Sequence, residues 1–314
     1  MKPSKAVPTI AATVMLAASA SGDPAAILLF TAAGCASAPR AADTARASKG
    51  DGLESERALP IPADLVRPVE QAARLGRLIY QVDKASAIGT DVLRARVPDY
   101  RSRRVAGWLT LEEGDAGGDG PAFSVLFYND ENPPRFVFNI RVPRAGEPTL
   151  QEYAPPEALN DEMMRLFRAR RNALAVAPTG RRRMNPVILP LSTAGQPDSI
   201  LVYLLAAEMV PGQMVFGVHC RVLASEDGFT IKELTPLSKS ALVVDEKLPA
   251  DVPRGAKLVA HVVSHLVTDW PLETHVFVSL LHKNVPIYVV TRRGTWLVIG
   301  DKITLVDDKP PVPR

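Results

Sequence analysis

The chain has 314 residues, of which 46% are apolar, 23% charged and only 6% aromatic, and its mean hydropathy is +0.04. That balance excludes a collagen, a coiled-coil rod, a polytopic membrane protein and a wholly disordered chain. The 37 Lys and Arg stand against 34 Asp and Glu, a formal charge of +3, which is too even for a dedicated nucleic-acid binder.

The first residues read as an address. Lys2 and Lys5 precede an apolar, Ala-rich run from Ala6 to Ala20. Ser21-Gly22-Asp23-Pro24 interrupts it, and a second apolar run, Ala25 to Ala33, ends at Gly34-Cys35. This is the layout of a secretory signal peptide. Neither run reaches the roughly 20 residues of a membrane-spanning helix. Ala18-Ser19-Ala20 offers a site for an ordinary signal peptidase. Ala32-Ala33-Gly34-Cys35 resembles the lipobox of bacterial lipoproteins, departing from it in having Ala32 where that family prefers Leu. The resemblance implies cleavage before Cys35, acylation of its thiol and a membrane partner reached through that lipid. With Ala36 rather than Asp after the Cys, it further implies the outer membrane, facing the periplasm. The alternative is a soluble periplasmic or secreted product. Residues 36–57 are Ala, Ser, Arg, Lys, Gly and Asp with hardly a large apolar side chain. Such a segment cannot offset its ordering entropy, so residues 35–57 read as a tether after a 1–34 leader.

From Leu59 to Arg96 the pattern is helical: Leu75, Leu78, Ile79, Val82, Ala85 and Val92 recur at spacings of three and four. Gly89 is a candidate break between two helices. Strands follow at Val105–Glu112, Ala122–Tyr128 and Arg135–Val142, separated by a Gly-rich turn, Asp115–Gly120, and a Pro-rich breaker, Asn129–Pro134. Leu159–Val176 returns to helix, with Asp161 and Glu162 early and Arg168, Arg170 and Arg171 late, the order a helix dipole favours. Met163, Leu166, Phe167 and Leu174 make its buried stripe.

The rest reads as strand: Val187–Leu191, Ile200–Ala206, Met214–Leu223, Phe229–Leu234, Lys257–Val267, His275–Leu281, Ile287–Thr291, Thr295–Ile299 and Ile303–Val306. Ile200–Leu205 is apolar on both faces, as in a strand covered on both sides. Short connections with explicit turns favour antiparallel neighbours. The expectation is one α+β domain over 58–308, with N-terminal helices, one central helix and a largely antiparallel, mostly C-terminal sheet. A loose tail, 309–314, follows it.

The richest stretch for chemistry is Val259–His275. As a strand it sets His261 and His265 about 13 Å apart, too far for one ion. A hairpin about Trp270 instead opposes His265 to His275, with Glu273 on the same face. His265, Glu273 and His275 then form a candidate set for zinc or another divalent metal, or an acid–base set. The competing reading is histidines packed in a sheet with no cofactor. Arg168, Arg170, Arg171 and Arg181–Arg183 read as a solvated helix end and a charged loop, or else as a patch for anions. Cys220 reads as an inert thiol in an apolar run. Trp270, Tyr288 and Trp296 read as core or as a ligand platform. The chain thus reads as an envelope protein with a binding or scaffolding domain, or alternatively as a metal-dependent envelope hydrolase using His265, Glu273 and His275.

Overall fold

The computed structural model describes residues 12–18, 27–31, 58–113, 122–178, 183–189, 199–246 and 256–309. In chain order it has strands β1 (Ala12–Ala18) and β2 (Ile27–Thr31), helix α1 (Ala63–Arg96), strands β3 (Val105–Glu113), β4 (Ala122–Asn129), β5 (Arg135–Val142) and β6 (Thr149–Ala158), and helix α2 (Asp161–Ala175). Strands β7 (Met184–Leu189), β8 (Ser199–Ala206), β9 (Gln213–Val215), β10 (Cys220–Ser225), β11 (Ile231–Pro236), β12 (Val243–Asp245) and β13 (Ala256–Ser264) follow. Helix α3 (Glu273–Leu281) then leads to β14 (Ile287–Thr291), β15 (Gly294–Ile299) and β16 (Lys302–Asp307). The α+β class is as the sequence implies, with the strands mostly C-terminal. Among the described residues no helix is long and apolar enough to cross a membrane. The expected tether, 35–57, the Asp115–Gly120 turn and residues 310–314 of the expected tail lie outside the described residues.

The chain divides into two compact units. One comprises Met1–Arg77, Ala207–His219 and Pro236–Arg314; the other comprises Leu78–Ala206 and Cys220–Thr235. The division falls inside α1, which is one unbroken helix rather than two. Pro68 lies in its second turn, where the missing N–H removes one i→i−4 bond without ending the helix. Gly89 does not break the helix. It is where α1 lies against β4, so close that a Cβ would sit 2.8 Å from the Val125 side chain.

The unit built on Leu78–Ala206 holds two antiparallel sheets, β3-β4-β5-β6 and β11-β10-β8-β7. Helix α2 begins at Asn160, whose side chain accepts the Met163 N–H at 2.8 Å, an N-cap that satisfies one of the first-turn donors. Leu166, Ala169 and Ala173 on this helix share one core cluster with Leu109, Leu126 and Phe136 of the first sheet and Ile200, Val202 and Val222 of the second. Each large aliphatic or aromatic side chain fully buried in this way contributes about 1.5–3 kcal/mol. Every residue of β8 is buried, as its two-sided apolar pattern implies. Strand β6, with Pro155 and Pro156, is not among the strands expected from the sequence; it pairs with β5 at the sheet edge, with a register shift between Phe136 and Phe138. Edge positions and bulges are where a strand tolerates proline.

In the other unit the sheet order is β16-β15-β14-β13-β1-β2. β13 and β14 are parallel and are connected through α3. The expected strand His275–Leu281 is this helix, a correction with a clear cause. Thr274 to Ser279 are all buried, so the segment lacks the polar face that betrays a helix. The expected strand Met214–Leu223 is also corrected. It is broken into β9 and β10 by Val218, whose φ is +70°. Alternation along the sheet puts Ala260, Val262, Tyr288, Leu297 and Ile299 in one apolar cluster. Trp296, Val298, Ile287 and Val289 are buried on the other face. Both Tyr288 and Trp296 are therefore core residues. Gly76 of α1 approaches α3 so closely that a Cβ would lie 2.6 Å from the Glu273 carbonyl oxygen.

Candidate functional site

His265 leaves the end of β13, held beside β14 by its N–H to the Val290 carbonyl at 2.8 Å. A bend through 267–270 follows. There the Thr268 hydroxyl donates to the Trp270 carbonyl at 2.6 Å, and the Thr268 N–H donates to Nε2 of His265 at 3.2 Å. The same Nε2 lies 2.8 Å from the Thr268 hydroxyl oxygen. The chain then enters α3, where the Leu272 N–H donates to Nδ1 of His275 at 3.0 Å and the His275 N–H returns to the Leu272 carbonyl at 3.0 Å. His275 thus fills the place of the glutamate in a capping box. Accepting at Nδ1 makes its ring neutral, with the proton on Nε2.

The two rings meet edge to face, with centroids 4.9 Å apart. The sequence expects this meeting, but a strand–bend–helix junction makes it rather than a hairpin. His219 stands nearby. Its Nε2 lies 2.9 Å from the Val215 carbonyl, which can only accept, so that nitrogen carries the proton. Burial holds the His265 imidazole down at about 4. Burial, and then the neighbouring His265, hold His275 well below the usual range. Glu273 is also buried. Yet among the described residues no group of three or more His, Cys, Asp or Glu is placed to hold a metal ion. Of the expected metal set His265, Glu273 and His275, the two histidines have Nε2 of His265 and Nδ1 of His275 engaged by Thr268 and Leu272. A base with a pKa near 4 is also badly matched to neutral-pH proton transfer. The cleft beside the pair, lined by Phe216, Ser238, Ser240 and Val263, has only about 20 Å³, room for about one water.

His261 is different. It is 1% exposed, and neither ring nitrogen has a partner among the described residues. Burial, and then the nearby His282, lower it to about 4, while Glu246 opposes the shift. Glu246 itself pairs with Nδ1 of His282.

The other unit carries a larger concavity that sequence reasoning missed. A groove of about 320 Å³ is lined by Ser102, Arg103, Arg104, Phe138, Tyr153 and Pro155 among others. Arg103 bonds Glu152 at 2.6 Å and Asp99 at 3.2 Å, and Arg104, with a φ of +58°, bonds Asp130 at 2.7 Å. Asn139 hydrogen-bonds the Tyr153 side chain, while its own Oδ1 is buried without a partner among the described residues. The signals present in the sequence are Arg101-Ser-Arg-Arg104 and Tyr153-Ala-Pro-Pro156; neither has a spacing that marks a site.

The arginines of α2 do not form one patch. Arg168 lies over the Phe229 ring at 4.3 Å and Arg171 over Phe167 at 5.7 Å. Arg170 is buried rather than solvated. It donates to the Tyr128 hydroxyl at 2.8 Å and lies over Trp108 at 5.1 Å, and its Nε has no partner among the described residues. Arg181 and Arg182 lie outside the described residues, as does Cys35. Cys220 is a buried thiol whose pKa burial pushes up, which suits an inert role. No family model, curated protein or solved structure matches the chain.

Proposed function

We propose that this chain is an exported bacterial envelope protein, fixed by an acyl group on Cys35 to the outer membrane and facing the periplasm, whose body binds a partner rather than catalysing a reaction. The address rests on sequence: Lys2 and Lys5, the apolar runs, and Ala32-Ala33-Gly34-Cys35 before a tether poor in large apolar residues. The groove floored by Tyr153 and Phe138 carries the binding reading. Its volume of about 320 Å³ lies at the lower end of the range of small-ligand sites. The histidine pair supports no comparable hydrolase reading, because two of its nitrogens are committed to the backbone and turn.

Two measurements test the proposal. Mass spectrometry of the native protein's N-terminal peptide is expected to find Cys35 as first residue, carrying acyl chains. An unmodified start at Ser21, or an uncut chain, overturns the anchor. A photo-reactive residue placed at Tyr153 in living cells is expected to give a discrete crosslinked adduct. The same residue at exposed Arg77 is expected to give none. Silence at Tyr153 overturns the groove.

A further inference from the structure

Sheet edges expose unpaired N–H and C=O groups, and proteins guard them with charge, proline or bulges. Most edges here follow that rule. β3 ends in Glu112 and Glu113, β6 carries Glu152, Pro155, Pro156 and Glu157, β7 carries Pro186, β11 carries Lys232, Glu233 and Pro236, and β16 carries Lys302 and Asp307. β13 lies inside its sheet, between β14 and β1. Its sequence, Ala-Lys-Leu-Val-Ala-His-Val-Val-Ser, has one charge, near the start, and no proline. It carries little of the charge, and none of the proline, that guards an exposed edge.

One side of β13 is covered by β14. The other is covered by β1, in antiparallel register from Ala12 opposite Val263 to Ala18 opposite Ala256, with β2 paired outside it. Both β1 and β2 fall within residues 1–34, the segment that the proposed export route removes. We infer that leader removal uncovers the β13 edge as a strand-addition site, and that its occupant in the envelope is an extended apolar strand of a partner protein. This inference rests on the proposed export reading. The segment whose backbone pairs with this edge, Ala-Thr-Val-Met-Leu-Ala-Ala, is mostly apolar and carries no charge. Main-chain hydrogen bonds supply affinity in such additions, and alternate side chains supply selectivity.

The backbone identifies the donors concerned. The N–H groups of His261 and His265 go to Pro286 and Val290, on the β14 side. Strand alternation therefore turns those of Ala260 and Val262 to the β1 side. Proline at 262 removes one edge donor while leaving the bonds to β14.

The test uses the full chain carrying a protease site within residues 36–57, purified uncut and also after cutting and removal of the leader. The probe is a fluorescent peptide of residues 12–18 flanked by lysines. The cut chain is expected to bind it at least about tenfold tighter than the uncut chain, and Val262→Pro in the cut chain to weaken binding by about tenfold or more. Equal binding by cut and uncut chains overturns the inference, as does an unaffected Val262→Pro variant. So does a cut chain that forms a stable dimer by sedimentation and refuses the peptide, since a second copy then takes the edge. The mass of the native N-terminus reports leader removal separately, so failure of the export reading is distinguishable from failure of the edge.

Discussion

His275 caps α3 as a neutral imidazole, accepting the Leu272 N–H at Nδ1. Replacing it with Leu leaves that buried N–H unpaired and is expected to cost about 1–3 kcal/mol, read from urea unfolding. His275→Gln keeps an acceptor and is expected to cost less. Gly107 makes a similar case by shape. A Cβ there would stand 2.3 Å from the Tyr128 hydroxyl and 3.2 Å from an Arg170 nitrogen, and both side chains are buried. Gly107→Ala is expected to lower Tm and to break the Tyr128–Arg170 bond. Asp83 accepts from Asn185 in surroundings that push its carboxyl up to about 6, burial outweighing that bond. With the folded value raised, its contribution to stability is present at low pH and lost as pH rises through about 6. Asp83→Asn copies the protonated form. It is expected to raise Tm at pH 7.5 and leave it unchanged near pH 3.5.

At the level of elements, two glycines of α1 invert the usual rule. Gly to Ala in a helix ordinarily gains about 1 kcal/mol. At Gly76 the new Cβ would meet the Val276 side chain at 2.5 Å and the Glu273 carbonyl oxygen at 2.6 Å. Backbone cannot swing aside, so Gly76→Ala is expected to destabilise in thermal melts despite the propensity gain. Helix α1 is legible in sequence because Leu75, Ile79, Val82 and Ala85 are all buried at helical spacing, against exposed polar neighbours. α2 is legible for the same reason, with its end charges and Asn160 added. α3 is not. Thr-His-Val-Phe-Val is β-branched and aromatic, local preference points to strand, and burial on every side erases the periodicity that would correct it. The meeting of His265 with His275 is therefore foreseeable only as proximity, while the hydrogen bonds that decide their role depend on a helix cap the sequence conceals. β6 is hidden by Pro155 and Pro156. The groove is hidden because the loop at Arg103 and strand β6 approach it from distant parts of the chain.

For the molecule as a whole, acid acts unevenly. His261 and His265 have folded values of about 4, and His275 lies well below its ordinary value. All three belong to the unit completed by Pro236–Arg314. The unfolded chain binds protons first, so their stabilisation is whole above about pH 6.5 and falls away toward pH 4, on the order of 3 kcal/mol for His265. Asp83, in the other unit, shifts in the opposite sense. Amide exchange, corrected for intrinsic rate, is expected to show β13 and α3 losing protection between pH 7 and 4.5 while β8 holds. Equal losses in both would contradict this assignment.

The unit containing α3 is assembled from three separate stretches of chain. Under the proposed export, a polypeptide threaded outward from its amino end delivers Gly76 long before Val276, the residue against which it closes. The early turns of α1 must then travel with their apolar stripe bare, and a holding chaperone in the receiving compartment would meet that stripe first.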